Sequence, residues 1–300
     1  MTTSPGKNPV FRSLEGEMDY MAAYGSVLKE WPTGYEELYV RTRLGRTHIV
    51  ASGQIDRPPV ILLHPSGAAS MIWYRNVKPL GERFRVFAVD TIGEPGKSVL
   101  DHPIKASNQR EQYAEWFTDI LDGLNISRAH VVGNSFGGFL ALNAVITRPE
   151  RILKTVLISP AASFTQMWSW YWHFVPAGLV GRLVRWDRIL LAPIDWIWNG
   201  LPQDDKISRL RSITATRGLQ RHGFPSVFDD SELQRIRKPI LLLVGDREVI
   251  YDPKRVIEKA RRLVDGLEAE IIPNGNHNAE YTASDAVNES VLRFLDRPWE

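Results

Sequence analysis

The sequence predicts an α/β fold, in which a mostly parallel sheet of about eight strands has helices on both faces and an inserted helical cap. Short apolar runs rich in β-branched residues alternate with segments whose apolar residues recur every three to four positions. Strands and helices that alternate in this way build a parallel sheet covered on both faces. From about residue 161 to 232 the alternation stops, and tryptophan-rich helical segments separated by prolines indicate an insertion.

Three parts of the chain are expected from this pattern. They are an N-terminal extension with one helix (residues 1–34), an α/β core (35–160 and 233–300) and a helical cap or lid (161–232). After a mobile start, the helix of the extension runs from Ser13 to Trp31. It ends near Pro32.

The core is predicted to open with two strands around a Leu44-Gly45 turn, which pair as an antiparallel edge. The predicted strands are 37–42, 47–52, 60–63, 84–89, 130–132, 154–159, 240–244 and 269–272. The predicted helices of the core are 108–124, 135–147, 253–263 and a C-terminal helix that ends near 295. In the first of these helices, Trp116, Ile120 and Leu124 have the spacing of one buried face.

Charge and composition exclude several kinds of function. The 300 residues include 37 basic and 35 acidic side chains, so no overall charge attracts nucleic acid or an anionic membrane. A small-molecule partner is therefore expected. The chain has no cysteine, which rules out disulfides, thiolate nucleophiles and cysteine-bound metal ions.

The sequence also leads us to expect a cytoplasmic protein without a transmembrane span. Residues 1–11 lack the basic and apolar regions of a secretion signal. The most apolar long stretch, 168–198, is interrupted by Arg182, Arg185 and Arg188, and a membrane span needs roughly 18 apolar residues in a row. The oligomeric state is not indicated by any pattern.

A glycine-rich turn between a strand and a helix is the first sign of chemistry. The strand that ends at Val132 runs into Gly133-Asn134-Ser135-Phe136-Gly137, a G-x-S-x-G motif. A sharp turn of this kind leaves no room for side chains at the glycines and holds the serine in a strained conformation. Ser135 is therefore expected at the C-terminal edge of the sheet, beside helix amides that favour a developing negative charge.

From Glu37 to the C-terminus the sequence resembles the α/β-hydrolase superfamily. The resemblance implies a serine hydrolase whose nucleophile is Ser135 and whose nucleophile elbow includes Gly133, Asn134 and Gly137. The serine at the elbow argues against the members of this fold that cleave haloalkanes or epoxides, because those enzymes use an aspartate there.

A second motif of the resemblance is the segment Leu62-Leu63-His64-Pro65-Ser66-Gly67, which corresponds to the family's oxyanion loop. The family usually has glycine after the histidine, whereas this chain has Pro65. Because proline has no N–H, the resemblance implies an oxyanion hole built from the backbone N–H groups of Ser66 and Phe136. The loop from Asp90 to Ser98 corresponds to another family loop, lengthened by one residue, and is interpreted as architectural.

The remaining catalytic positions follow the last two strands. Pro273-Asn274-Gly275-Asn276-His277 resembles the family's turn before the terminal helix, so His277 is the expected base. The resemblance also implies the acid that orients this base. Family members usually place it three residues after a glycine, which is Glu248 here, and Asp246 is the alternative. Another acid position of the superfamily holds Ser159 here and offers no carboxylate.

The predicted cap is rich in aromatic side chains, namely Trp168, Trp170, Tyr171, Trp172, Phe174, Trp186, Trp196 and Trp198. Packing is the better interpretation for any single ring, but together the rings favour a pocket for apolar groups. A further interpretation is that these rings and the interleaved arginines lie on a lipid surface, as in lipase lids.

The leading hypothesis is a carboxylic ester hydrolase that acts on esters with apolar acyl or alcohol groups through an acyl-enzyme, without a cofactor or metal. A carbon–carbon bond hydrolase of ring-cleavage products is the closest rival, since those enzymes often share the Gly-Asn-Ser-x-Gly-Gly elbow. Their usual tryptophan after the catalytic histidine is Asn278 here, and their glycine-proline-glycine loop is missing. A non-catalytic ligand receptor on the same scaffold is the alternative from a different class.

Overall fold

The computed structural model describes residues 8–298, apart from 168, 170–171, 178–179, 181–186, 200–204, 206 and 224. In this part of the chain, nine strands form one sheet. They are β1 (Tyr35–Thr42), β2 (Gly45–Ser52), β3 (Pro59–Leu63), β4 (Arg85–Val89), β5 (Val99–Leu100), β6 (Ala129–Asn134), β7 (Ile152–Ile158), β8 (Ile240–Gly245) and β9 (Glu268–Ile272). Eight of them confirm the predicted strands, and the two-residue β5 is too short to leave a pattern in the sequence.

The order of the strands confirms a mostly parallel sheet. It is β1-β2-β4-β3-β6-β7-β8-β9, with β5 beside β2. The pairs β1/β2, β2/β4 and β2/β5 are antiparallel, and all later neighbours are parallel. The loops that follow the parallel strands therefore meet at one edge of the sheet, where ligands bind in open α/β folds.

The helices with defined bounds are α1 (Leu14–Lys29), α2 (Val77–Gly81), α3 (Gln109–Gly123), α4 (Phe136–Thr147), α5 (Asp187–Ile197), α6 (Ser208–Arg217), α7 (Asp230–Leu233), α8 (Pro253–Leu263), α9 (Ala279–Thr282) and α10 (Ser284–Leu295). Residues 172–177 are also helical. The predicted C-terminal helix is divided into α9 and α10, because Ala283 has a non-helical backbone with φ −131° and ψ 43°.

Helices cover both faces of the sheet, as predicted. Strand β3 shows how the faces divide, since Ile61 and Leu63 point into one hydrophobic cluster and Val60 and Leu62 into the other. The first cluster includes buried residues of α3, α4 and α8, and the second includes buried residues of α1, α2 and α10. Packing on both faces explains why the central strands are continuous apolar runs.

Residues 8–11, in front of α1, are packed, where the sequence led us to expect a mobile start. Val10 and Phe11 are fully buried. The backbone N–H of Leu219 donates to the carbonyl of Val10 at 2.7 Å, and Phe11 forms a β-bridge with Gly218. The beginning of the described chain therefore holds the segment that follows α6.

Helices α5 and α6 lie between β7 and β8, within the range predicted as the cap. The boundaries of that cap at residues 161 and 232 stay a prediction. Among the described residues, no helix has both the length and the apolar character that crossing a membrane requires.

Candidate active site

Ser135 lies at a sharp turn in which the backbone at two glycines packs closely against other backbone atoms. Its φ of 49° and ψ of −112° are a strained conformation for a residue with a side chain. A Cβ atom at Gly133 would lie 2.2 Å from the carbonyl oxygen of Gly137, and one at Gly137 would lie 2.0 Å from the carbonyl oxygen of Leu63. Glycine is required at both positions, which is the mechanical reason for the G-x-S-x-G pattern.

His277 links Ser135 to Glu248 across the edge of the sheet. The Ser135 Oγ is 2.9 Å from His277 Nε2, and His277 Nδ1 is 2.8 Å from Glu248 Oε2. The side chains of His277 and Glu248 are 3% and 0% exposed. An ionised carboxylate only accepts hydrogen bonds, so Nδ1 donates to Glu248 and leaves Nε2 of the neutral ring to accept from Ser135.

The surroundings of Glu248 keep it ionised. Its Oε1 accepts hydrogen bonds from the backbone N–H groups of Val249 and Ile250, both at 2.9 Å. Burial alone would raise the pKa of Glu248, but the charge and hydrogen bond of His277, together with the amide of Ile250, lower it below its usual value.

Asp246, the alternative acid, has a different environment. It is exposed, and its backbone N–H donates to the carbonyl of Ile272 at 3.0 Å. Within the described chain, no hydrogen bond or ion pair joins its side chain to His277. The loop after β8 thus brings Glu248, and not Asp246, to the imidazole.

Ser66 and Phe136, the expected oxyanion-hole residues, border the same cavity as Ser135 and His277. Ser66 follows β3 and Phe136 is the first residue of α4. Neither backbone N–H donates a hydrogen bond to another described residue, and their role as the oxyanion hole stays a prediction.

The cavity has a volume of about 300 Å³ and walls of two kinds. Its apolar wall includes Met167, Phe174, Ile194, Ile197, Trp198 and Ile250. Its polar wall includes Ser66, Thr214, Gln220, His222 and Asn278. The cavity can therefore hold a ligand that has both an apolar and a polar part.

The aromatic residues predicted in the cap occupy different positions in the structure. Phe174 and Trp198 line the cavity. Trp196 stacks on His173 with a centroid distance of 3.8 Å, and Trp172 is 76% exposed. Trp168, Trp170, Tyr171 and Trp186, as well as Arg182 and Arg185, lie outside the described residues.

Comparison with known proteins identifies the family. The model of the Alpha/beta hydrolase family matches residues 60–290, which is most of the chain. The chain belongs to the alpha/beta hydrolase family. The family membership predicted from the sequence is thereby confirmed.

Relatives of this α/β-hydrolase include two proteins of Bacillus subtilis (strain 168). The carboxylesterase YbfK is 35% identical over 95% of this chain and 96% of its own length. The uncharacterized carboxylesterase nap is 36% identical and the match covers 92% of each chain. The crystal structure of carboxylesterase CesB (YbfK) superposes with a TM-score of 0.86 at 34% identity, covering 94% of this chain and 99% of that one. The naproxen esterase structure from the same organism gives a TM-score of 0.85 at 32% identity, covering 95% and 100%.

The α/β-hydrolase also contains a buried carboxyl group that sequence reasoning missed. Glu280, in α9, is fully buried, and Asn134 Nδ2 donates a hydrogen bond to its Oε2. Burial raises the pKa of Glu280 to about 8. No pattern in the sequence distinguishes this residue, because glutamate is most often exposed. Asn134, predicted only as part of the elbow, is therefore also the partner of a buried acid.

We expect Glu280 to make the stability of the hydrolase fall with rising pH. The pKa of Glu280 in the folded state is about 8, above the ordinary value of 4.5. Between these two pH values the folded protein holds a proton that the unfolded chain has released. The free energy of unfolding should decline there by at most about 1.4 kcal/mol per pH unit. Urea denaturation of wild type and Glu280→Gln at about pH 5.5 and about pH 8 checks this, because the glutamine cannot titrate.

The matched control is Glu289→Gln, whose side chain is 80% exposed on α10. It should keep the wild-type decline, whereas Glu280→Gln should flatten it. An unchanged decline in Glu280→Gln would show that other groups cause the pH dependence.

Proposed function

We propose that this protein hydrolyses carboxylic esters with apolar acyl or alcohol groups through an acyl-enzyme on Ser135. The observation that carries the proposal is the hydrogen-bonded series Ser135, His277 and Glu248, which opens on a largely apolar cavity. A serine hydroxyl is activated for attack on a carbonyl carbon when it donates to a neutral imidazole whose other nitrogen donates to a carboxylate.

The reaction has two halves. In the first, Ser135 Oγ attacks the ester carbonyl while its proton moves to His277 Nε2, and the backbone N–H groups of Ser66 and Phe136 bind the resulting oxyanion. His277 then protonates the leaving alcohol as the carbon–oxygen bond breaks. In the second half, water attacks the acyl-enzyme, gives its proton to His277, and the acid is released. Glu248 stabilises the imidazolium in both halves without taking the proton.

The relatives support the same chemistry. Two proteins that each match more than nine-tenths of this chain are named carboxylesterases, and a superposed structure is named a naproxen esterase. The substrate is accordingly a small molecule. Its apolar character is inferred from the cavity wall formed by residues such as Met167, Ile194 and Ile197. The cytoplasmic location expected from the sequence stays a prediction.

Carbon–carbon bond hydrolysis is the second candidate. It is favoured by the Gly-Asn-Ser-x-Gly-Gly elbow and by a 27% identical relative in Escherichia coli named 2-hydroxy-6-oxononadienedioate/2-hydroxy-6-oxononatrienedioate hydrolase, which matches 84% of this chain. Against it stand Asn278 after the histidine and Pro65 in the oxyanion loop. A ring-cleavage product offered beside a p-nitrophenyl ester would separate the two activities.

Labelling with a fluorophosphonate and turnover of p-nitrophenyl butyrate test the proposal together. Wild type should be labelled and should release many equivalents of p-nitrophenol, whereas Ser135→Ala should do neither. Equal labelling of Ser135→Ala would show that Ser135 is not the nucleophile. Release of about one equivalent followed by a stall would favour the ligand receptor.

A further inference from the structure

A buried ion pair beside the cavity takes no part in the steps above. Glu94 lies in the loop between β4 and β5 and has a fully buried side chain, and the His222 side chain is 6% exposed. Glu94 Oε1 and His222 Nε2 are 2.5 Å apart. Taking two charges out of water costs free energy even when they form a pair. A buried pair in this position therefore requires an explanation.

The hydrogen bonds of Glu94 show that it is an acceptor at both oxygens. Gln220 Nε2 donates to Ser66 Oγ at 2.7 Å, so the Ser66 hydroxyl uses its own proton to donate to Glu94 Oε1 at 2.5 Å. The backbone N–H of Gly67 donates to Glu94 Oε2 at 3.1 Å. Two successive residues of the oxyanion loop are thus tied to one carboxylate.

The partners of His222 show that both ring nitrogens are donors. Nε2 faces the Glu94 carboxylate, and Nδ1 is 2.9 Å from the carbonyl oxygen of Gly223, which can only accept. The ring is therefore an imidazolium. Burial alone would lower the pKa of His222, but the charge and hydrogen bond of Glu94 raise it above the usual value.

The His222 ring also contacts the second expected donor of the oxyanion hole. It stacks on the ring of Phe136 with a centroid distance of 4.1 Å and an interplanar angle of 10°. One ion pair thus contacts both residues whose backbone N–H groups are expected to bind the oxyanion: Glu94 holds Ser66 and His222 holds Phe136.

We propose that the Glu94–His222 pair positions the oxyanion hole and makes it complete only when the segment after α6 is seated on the core. Glu94 belongs to the core, whereas His222 belongs to the segment predicted as the cap. The backbone N–H of Arg221 donates to the carbonyl of Gly93 at 2.7 Å, so the two segments are joined on both sides of the pair. This inference rests on the proposed function of Ser135.

The inference predicts a loss of rate and not of substrate binding. Removing one oxyanion donor costs about 100- to 1,000-fold in kcat, and displacing a donor should cost somewhat less. We expect Glu94→Gln and His222→Gln each to lower kcat for p-nitrophenyl butyrate by about 10- to 100-fold with KM changed less than about threefold. Because the two residues act as a unit, the double variant should be about as slow as the slower single variant.

A trifluoromethyl ketone inhibitor provides the readout that a purely structural role would not move. Ser135 Oγ adds to its carbonyl carbon, the serine proton passes to His277, and the oxygen becomes an oxyanion in the hole. Its Ki should rise in the variants by about the factor by which kcat/KM falls. The control is Glu232→Gln, the same substitution in the Arg110–Glu232 ion pair, whose members do not line the cavity.

The outcomes distinguish this inference from the proposed function. Wild-type turnover that depends on Ser135, together with variants that match wild type in kcat and Ki, would overturn the inference alone. So would an effect confined to KM, or a loss of kcat with unchanged inhibitor affinity. Absence of Ser135-dependent turnover in wild type would overturn both. If Glu94→Gln does not fold, His222→Gln decides, because it leaves the carboxylate bonded to Ser66 and Gly67.

Discussion

Replacing His277 with alanine is expected to lower kcat by about 10⁴- to 10⁶-fold. Among the described residues, the His277 imidazole is the only group in contact with Ser135 Oγ that can take its proton. Its Nε2 lies 2.9 Å from Oγ. Without it the serine must lose its proton to water, and the leaving alcohol has no acid to protonate it. Steady-state hydrolysis of p-nitrophenyl butyrate measures kcat and KM directly.

The control for this prediction is His102→Ala, since His102 is exposed and does not line the cavity. It should keep wild-type kcat. The melting temperature of both variants shows whether the fold survives. A loss in His277→Ala smaller than about tenfold would mean that another group is the base, since members of such a unit cost nearly the whole effect when removed singly.

Much of the fold and of the site could be predicted because the responsible physics is local. Apolar spacing in 109–123 and a short apolar run in 59–63 depend on a few neighbouring residues, and both elements are where the pattern indicated. Gly133 and Gly137 are visible in the sequence because any side chain would collide with backbone atoms. Ser135 and His277 follow from the resemblance, since each stands in a motif at the end of a strand.

The features that were missed depend on contacts between distant segments. Glu94 and His222 are 128 positions apart, and nothing near either residue indicates the other. Glu280 is buried because α9 packs its side chain against Asn134, whereas its local sequence is that of an ordinary helix start. The packing of residues 8–11 depends on the β-bridge between Phe11 and Gly218. Tertiary contacts of this kind leave no periodic signal.

Replacing Glu248 with glutamine is expected to lower kcat by about 10³- to 10⁴-fold, although the side chain keeps its size. Glu248 Oε1 accepts from the amides of Val249 and Ile250, while Oε2 accepts from His277. Glutamine has only one acceptor oxygen, and this oxygen is expected to stay hydrogen-bonded to the backbone amides of Val249 and Ile250. Its NH₂ group then faces Nδ1 and selects the tautomer with a proton on Nε2, which cannot accept from Ser135.

The chain provides a matched control for this change two residues away. Asp246→Asn removes the same charge from the same loop, but the side chain is exposed and does not contact His277. We expect it to keep kcat within about twofold, since exposed charges contribute little. If Asp246→Asn were the damaging variant and Glu248→Gln were active, the loop would have to rearrange during catalysis and Asp246 would be the acid. A comparison of kcat in the two variants therefore decides between the carboxylates.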